Sequence, residues 1–266
     1  MQILFSLQLL TILLTMLNLV MVEVEPRHVI LDAMSRKIQF AEGEYYHLYN
    51  RGVDKRIVFE NDSDRKRFML LLYLCNGKTS FRFDRLPAWK DETSLELIKS
   101  ALGEEIDLPI VAIGAYCLMP NHFHLLVRET TEGGISAFMH RFSTAYTMYF
   151  NISRKRDGAL FQGRFKAKHA TTDTYLRYIF SYIHLNPVKI VEPKWKENGI
   201  IDRKKAERYL AEYPYSSYFD YLGISRQFSK LLNRKEFPDY FPKKTTFNRE
   251  ISDWILYADE AQPRHG

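Results

Sequence analysis

The sequence has few cysteines and no visible internal repeats, and both absences exclude classes of protein. Only two cysteines occur in 266 residues, Cys75 and Cys117, far apart and outside any CxxC motif. This supports neither a disulfide framework nor a thiolate zinc site, and it indicates a reducing compartment. The lack of repeats argues against a solenoid. The composition, 46% apolar and 26% charged, is typical of a globular protein, and the length suits one domain with appendages.

Charge is missing from the N-terminal segment. Residues 1–22 contain no charged side chain and consist mainly of Leu, Ile, Val and Met. The stretch is long enough to cross a bilayer as a helix, but it lacks the positive start of a secretory signal. Two interpretations stay open. The segment is a membrane anchor, or translation begins at Met34 and residues 1–33 are not part of the natural protein. We favour the second and do not expect a membrane among the partners.

Positive charge, by contrast, is concentrated in one region. The formal net charge is +6, which by itself favours an anionic partner only weakly. Between residues 140 and 189, nine Lys or Arg stand against two Asp: Arg141, Arg154, Lys155, Arg156, Arg164, Lys166, Lys168, Arg177 and Lys189. A solvated face usually mixes its signs, so this segment favours a nucleic-acid surface. The 17 tyrosines add stacking partners for unpaired bases, although most are expected in the core.

Hydrophobic patterning predicts an α+β fold. The predicted strands cover 45–49, 109–117, 122–128 and 159–170. The predicted helices begin at Asp62 or Ser63 and at Thr172 or Asp173, and cover 94–102, 135–151, 195–210 and 213–222, with a variable loop at 76–92 and a polar, weakly patterned tail from Pro238. This order suits an antiparallel sheet with helices on one face, the ferredoxin-like or split βαβ class.

The sharpest local motif is a pair of histidines. On a strand, His122 and His124 project from the same face, while Phe123 between them points into the core. Two imidazoles on one face can bind one divalent ion. An isolated pair of this kind is nevertheless more often two strand histidines that meet solvent or a backbone partner. The motif therefore needs a second element before it indicates chemistry.

A second motif lies where the helix from Thr172 ends. Tyr182 and Asn186 are four residues apart and therefore share one helical face, just before Pro187 stops the helix. Asn186 can add a neutral oxygen ligand beside two histidines. A phenol has a reference pKa of about 10 and needs help from a metal or a base to act as a nucleophile. Tyr182 alone would be taken for a half-buried packing residue.

Together these motifs resemble a known family. The sequence is similar to the REP-associated tyrosine transposases, members of the HUH single-tyrosine transposase superfamily. The matching stretches are 46–52, 117–126, 160–166, 182–189 and 215–218, which occur in the family's order and cover about residues 40–223. The resemblance implies an HUH catalytic domain at 40–190, and residues 191–266 are expected to form a helical C-terminal extension with a polar tail. The segment 1–33 and the tail fall outside the resemblance.

The resemblance also implies roles for individual residues. It makes His122 and His124 metal ligands, Asn186 the third ligand and Tyr182 the nucleophile of a transesterification on single-stranded DNA that is assisted by Mg²⁺ or Mn²⁺. The expected partner is hairpin DNA rather than a small molecule, a homodimer is left open, and the expected location is cytoplasmic and nucleoid-associated. The alternative function is a nucleic-acid-binding regulator without catalysis on the same fold, but a lost His, Asn or Tyr would mark such a protein and all four are present.

Other residues are assigned with alternatives. Tyr178 lies one turn before Tyr182 and would serve in a two-tyrosine relay, although the family motif places the nucleophile at Tyr182. Tyr146 and Tyr149 are expected to be packing residues. The expected DNA-backbone contacts are Arg51, Arg164, Lys166 and Lys168, for which the alternative is surface solubility. Arg51 and Arg164 each adjoin a glycine, where a backbone can approach a ligand closely.

Overall fold

The computed structural model describes residues 38–79, 95–103 and 108–260. The predictions for residues 1–33, including the apolar stretch 1–22 and the start at Met34, lie outside this range, as does most of the predicted loop 76–92. Within the part of the chain that is described, no helix is long and apolar enough to span a membrane. The described residues belong almost entirely to one compact unit, Gln39–Gly266.

The described strands form one antiparallel sheet. The strands are β1 (Tyr45–Arg51), β2 (Val111–Met119), β3 (His122–Glu129) and β4 (Lys166–His169), and their order across the sheet is β2-β3-β1-β4. The predicted α+β class is therefore confirmed. The predicted strand at 159–170 is shorter than expected, because residues before β4 contribute only an isolated bridge between Gly52 and Phe161.

Helices fill the connections. They are α1 (Asp62–Leu74), α2 (Leu95–Gly103), α3 (Gly134–Ser153), α4 (Asp173–Leu185), α5 (Val188–Val191), α6 (Trp195–Asn198), α7 (Arg203–Glu212), α8 (Tyr218–Tyr221) and α9 (Lys244–Glu260), with 3-10 turns at Val53–Lys55, Gln227–Leu231 and Arg234–Glu236. Thr172 caps α4, as predicted. The predicted cap of α1 was wrong by one residue: Asn61 accepts a hydrogen bond from the backbone N–H of Asp64, whose carboxylate accepts one in return.

Each face of the sheet carries its own core. On one face, Phe123 of β3 packs against Phe68 of α1 and Phe142 of α3. On the other face, Leu126 and residues of β2 join α4 and the C-terminal helices in a second cluster. Helices on one face were predicted; the structure adds that the C-terminal extension, with α4, covers the second face.

The C-terminal region departs most from its prediction. The helix predicted at 195–210 is two helices, α6 and α7, because Gly199 between them has a positive φ of 73° that ends the first. The tail predicted to be weakly patterned from Pro238 instead contains α9. Phe247, Ile251 and Ile255 recur every four residues along it and are at most 2% exposed. That spacing gives α9 one apolar face. The polar residues between these three positions made the face hard to recognise in the sequence.

Candidate functional site

Strand β3 presents the two predicted histidines on the second face of the sheet. His122 pairs with Arg51 of β1 and His124 pairs with Tyr49, so these side chains share that face. Phe123 projects to the opposite face and is fully buried in the first core. The predicted orientation of the three side chains on β3 is therefore confirmed, and it follows from strand periodicity alone.

Neighbouring side chains orient both imidazoles through the same ring nitrogen. Nδ1 of His124 lies 2.9 Å from Nε2 of His47, which is buried on β1. Nδ1 of His122 lies 2.6 Å from Oδ1 of Asn121, in the turn before β3. The centroids of the His122 and His124 rings are 5.0 Å apart, with the planes almost perpendicular. Both rings are thus fixed from their Nδ1 side.

Helix α4 brings the predicted nucleophile to this histidine pair. The ring centroid of Tyr182 lies 5.6 Å from that of His124 and 5.8 Å from that of His47, in edge-on contacts. Tyr182 is half-buried against the second core, and the core side of α4 is formed by Ile179 and Ile183. The two sequence motifs therefore meet in one place.

Asn186 lies at the C-terminal end of α4 and is 1% exposed. Its Nδ2 donates a hydrogen bond to the backbone carbonyl of Tyr182 over 2.9 Å, which ties it to the turn that bears the nucleophile. Its Oδ1 is buried and accepts no hydrogen bond from the described residues. Because a buried carbonyl oxygen without a partner costs free energy, this atom is suited to a ligand.

These residues fit a divalent ion, although the described residues include no cluster of three or more His, Cys, Asp or Glu side chains placed to hold a metal. The predicted set has two imidazoles and one amide oxygen. Metal-ligating histidines commonly engage a second neighbour through the other ring nitrogen, and both His122 and His124 do so through Nδ1. The solitary Oδ1 of Asn186 supplies the oxygen donor that Mg²⁺ and Mn²⁺ favour.

The predicted basic contacts border the same face. Arg51 is the cross-strand partner of His122, while Lys166 and Lys168 on β4 pair with Tyr49 and His47. All three are exposed. Residues directly opposite each other in a sheet project to the same side, so Arg51 lies beside His122, and Lys166 and Lys168 lie on the same face one strand farther from the histidine pair.

Arg164 reaches this region through the loop before β4, and it is exposed. The backbone N–H of Gln162 donates to the carbonyl of Arg51 over 2.8 Å, and Asn50 Nδ2 donates to the carbonyl of Gly163. Gly163 has a φ of +65°, which favours glycine at that position. The stretch 160–166 is thereby attached to the end of β1, next to Arg51.

Three other cations of the basic segment are held by the protein itself. Arg154 pairs with Asp64, Arg177 pairs with Glu250, and Arg141 donates to the carbonyl of Gly77. These side chains stabilise the fold, so the charge run between 140 and 189 overstates the surface that a nucleic acid could meet. A count of charges could not make this distinction.

The remaining tyrosines take separate positions. Tyr146 and Tyr149 are buried in the first core, where their hydroxyls donate to the carbonyl of Val58 and to Asp64. Tyr178 lies between Tyr182 and the C-terminal helix in tilted ring contacts, with its ring centroid 5.8 Å from that of Tyr182 and 5.3 Å from that of Trp254. The edge-on contacts with His47 and His124 are made by Tyr182.

Sequence reasoning missed two residues that support the site. His47 contacts His124, as described above, and His184 lies 2.7 Å from Oγ of Ser217 in the buried layer beneath α4. Burial lowers the pKa of His184 to about 3, so its ring is neutral at neutral pH. His47, His184 and Ser217 all lie in stretches that carry the family resemblance, and this was the only signal in the sequence that could have pointed to them. Their partners are distant in the chain and could not be read from it.

Comparison with known proteins gives one family match. The model of IS200-like transposases matches residues 80–186. A solved structure described as a REP-associated tyrosine transposase bound to a REP hairpin is similar, with 12% sequence identity, a TM-score of 0.43 and coverage of 73% of this chain and 90% of that chain. A search of curated proteins found no match. The chain is therefore similar to the IS200-like transposases over the stretch that contains both motifs of the site, and the resemblance predicted from its sequence is confirmed.

Proposed function

We propose that this protein cleaves and rejoins single-stranded DNA through Tyr182, as a single-tyrosine transposase. The observation that carries the proposal is the meeting of Tyr182 with the histidine pair: its ring lies 5.6 Å from that of His124, on a different element of the fold. The family match covers residues 80–186, which contain His122, His124, Tyr182 and Asn186 together. A hairpin substrate is proposed from the motif resemblance.

In the proposed reaction, Tyr182 attacks the scissile phosphate. The phenol of Tyr182 gives up its proton as its oxygen forms a bond to phosphorus, the bond from phosphorus to the 3′ oxygen breaks, and the released 3′ oxygen takes up a proton. The 5′ side of the break stays attached to Tyr182 as a phosphotyrosine. A free 3′-OH can attack this linkage and reverse the step, so rejoining needs no external energy source.

His122, His124 and Asn186 would hold the divalent ion, Mg²⁺ or Mn²⁺, that the site fits. When bound, such an ion polarises a non-bridging phosphate oxygen and orients the phosphate. Asn186 and Tyr182 lie on one turn of α4 and are joined by a hydrogen bond, so the nucleophile and the third ligand keep a fixed relation. Positioning of the reacting groups is the main contribution of these side chains.

The basic side chains around the site would position the DNA strand. Arg51 lies beside His122 and carries a planar guanidinium that suits phosphate oxygens. Lys166 and Lys168 line the adjacent edge of the sheet. Contacts to phosphate fix the register of a strand without reading its bases, so the choice of target is assigned to other contacts.

The test is capture of the covalent intermediate. A hairpin oligonucleotide labelled at the 5′ end of the downstream fragment is incubated with the protein and Mg²⁺, and denaturing gels and peptide mapping then locate the label. We expect the adduct on Tyr182, and we expect Tyr182→Phe to lose both the adduct and cleavage. Packing should be nearly unchanged in that variant, since only the phenolic oxygen is removed, and DNA binding should persist.

Tyr178→Phe is the matched control, one helical turn away. It should retain the adduct and cleavage. An adduct on Tyr178 or Tyr146, or cleavage by Tyr182→Phe, would show that another residue is the nucleophile. A wild-type protein that binds the hairpin but forms no adduct under any metal condition would favour the non-catalytic regulator instead.

A further inference from the structure

His47 is a buried polar side chain that the proposed reaction does not use. It lies on β1, is 5% exposed, and has Nε2 2.9 Å from Nδ1 of His124. Its ring is also 5.8 Å from that of Tyr182 and 5.2 Å from that of Tyr49. His47 thus contacts both a proposed ligand and the proposed nucleophile.

The contact between His47 and His124 restricts where their protons can lie. Two ring nitrogens 2.9 Å apart form a hydrogen bond only if one of them carries the proton and the other accepts it. An imidazole that binds a metal through Nε2 carries its proton on Nδ1. A ligating His124 would therefore have to donate from Nδ1, and Nε2 of His47 would have to be the acceptor.

We propose that His47 is a positioning residue that accepts the Nδ1 proton of His124 and so holds the Nε2 of His124 ready for the divalent ion. This rests on the proposed metal-dependent function and adds a residue to it. The side chain at position 47 must therefore accept a hydrogen bond as well as fill the space beside His124. A phenylalanine would fill the same space without accepting, whereas the Oε1 of a glutamine lies as many bonds from Cβ as the Nε2 of histidine.

The role of His47 differs from that of a third ligand. The contact of His47 with His124 occupies the nitrogen that faces the ligand pair, and the described residues include no three-residue cluster of His, Cys, Asp or Glu that could hold a metal. Partners that orient a ligating histidine usually contribute about 10- to 100-fold to metal affinity. A hydrogen-bond acceptor at this position should be replaceable by glutamine, whose Oε1 accepts, but not by phenylalanine.

The experiment compares His47→Phe and His47→Gln with the wild-type protein. Nitrogen-15 NMR of the metal-free protein reads the tautomer of His124, and Mn²⁺ titration followed by electron paramagnetic resonance reads metal affinity. We expect the wild type to show the proton on Nδ1 of His124. His47→Phe should lose that preference and bind Mn²⁺ about 10- to 100-fold more weakly, and His47→Gln should restore both properties to within a few-fold.

His169→Phe is the control, because His169 lies on β4 and hydrogen-bonds Glu44 rather than the site. It should leave the tautomer and the affinity unchanged. An unaltered His124 tautomer and Mn²⁺ affinity in His47→Phe would overturn the inference while leaving the proposed function intact, and so would a failure of glutamine to restore them. A wild-type protein that cleaves DNA but binds no Mn²⁺ or Mg²⁺ would instead contradict the proposed metal site.

Discussion

The two halves of the candidate site are held in different ways. The strand half, His122 and His124, lies on an inner strand whose ladder with β1 and β2 sets its direction. The helix half, Tyr182 and Asn186, lies at the C-terminal end of α4. The buried side of this helix is held by the contact between His184 and Ser217. A strand ladder fixes side-chain direction locally, whereas a helix takes its position from what it packs against.

The C-terminal helix α9 contacts the helix half directly. Glu250 of α9 accepts a hydrogen bond from Arg177, and Trp254 packs on Tyr178, one turn before Tyr182. Damage in the C-terminal region should therefore affect the placement of the nucleophile and leave the histidine pair in place. The following predictions test that division, beginning with the largest effect.

Loss of the strand half should almost abolish cleavage. His122→Ala, or removal of divalent ions by EDTA, should lower the cleavage rate by roughly 100-fold or more, because a metal ion at a phosphoryl centre contributes several kcal/mol. Gel assays with a labelled hairpin measure the rate, and binding of the hairpin should persist. His169→Ala on β4 is the matched control and should cleave normally. Cleavage that is unchanged in EDTA would contradict the assignment of His122 and His124 as ligands.

Loss of the support beneath α4 should have an intermediate effect. Ser217→Ala removes the partner of the buried His184 ring and an acceptor for the Tyr116 N–H, and should cost about 1–3 kcal/mol of unfolding free energy. The cleavage rate should fall further than Mn²⁺ affinity, since two of the three proposed ligands, His122 and His124, lie on β3 rather than on α4. Chemical denaturation and metal titration measure the two quantities.

Ser216→Ala is the adjacent control, because Oγ of Ser216 accepts from the backbone of Tyr218 instead of contacting α4. It should cleave nearly as fast as the wild type. Equal losses in the two serine variants, or a Mn²⁺ affinity that falls as far as the cleavage rate in Ser217→Ala, would show that the halves are not supported separately.

Neutralising the cations beside the strand half should have a smaller effect, on binding rather than on chemistry. Replacing Arg164, Lys166 and Lys168 by Gln should lower the dependence of log Kd on log salt by about 0.7 for each lost phosphate contact on single strands. Binding assays across a range of salt concentrations measure this slope. Arg154→Gln is unsuitable as a control because Arg154 is paired with buried Asp64. Lys155→Gln is used instead, because Lys155 is exposed and is not among the proposed DNA contacts. An unchanged slope would assign the three cations to solubility.

The smallest effect is expected at the contact between α9 and α4. Glu250→Gln removes the charge that faces Arg177, which is half exposed, and exposed ion pairs contribute about 0–1 kcal/mol. Thermal unfolding should shift slightly and cleavage should change less than severalfold. A loss of cleavage as large as that in Ser217→Ala would mean that α9, rather than Ser217, sets the position of Tyr182.

Much of the fold followed from local patterns. The strands that carry the histidines and the helix that carries Tyr182 were predicted close to their observed bounds, because alternation and capping are encoded by neighbouring residues. Helix α9 was missed because its apolar residues, Phe247, Ile251 and Ile255, are separated by a mostly polar sequence. Its helical face becomes evident only against the second core that it covers.

The sequence by itself determined the chemical groups and their directions on each element: two imidazoles on one face of a strand, and a phenol and an amide on one face of a helix. Only the tertiary structure decided that these elements meet, that His47 contacts His124, and that Arg154 and Arg177 are held by carboxylates while Arg51 borders the site. The physical reason is the range of the interactions. Side-chain direction depends on backbone periodicity over a few residues, whereas proximity between β1, β3 and α4 depends on packing of the whole core.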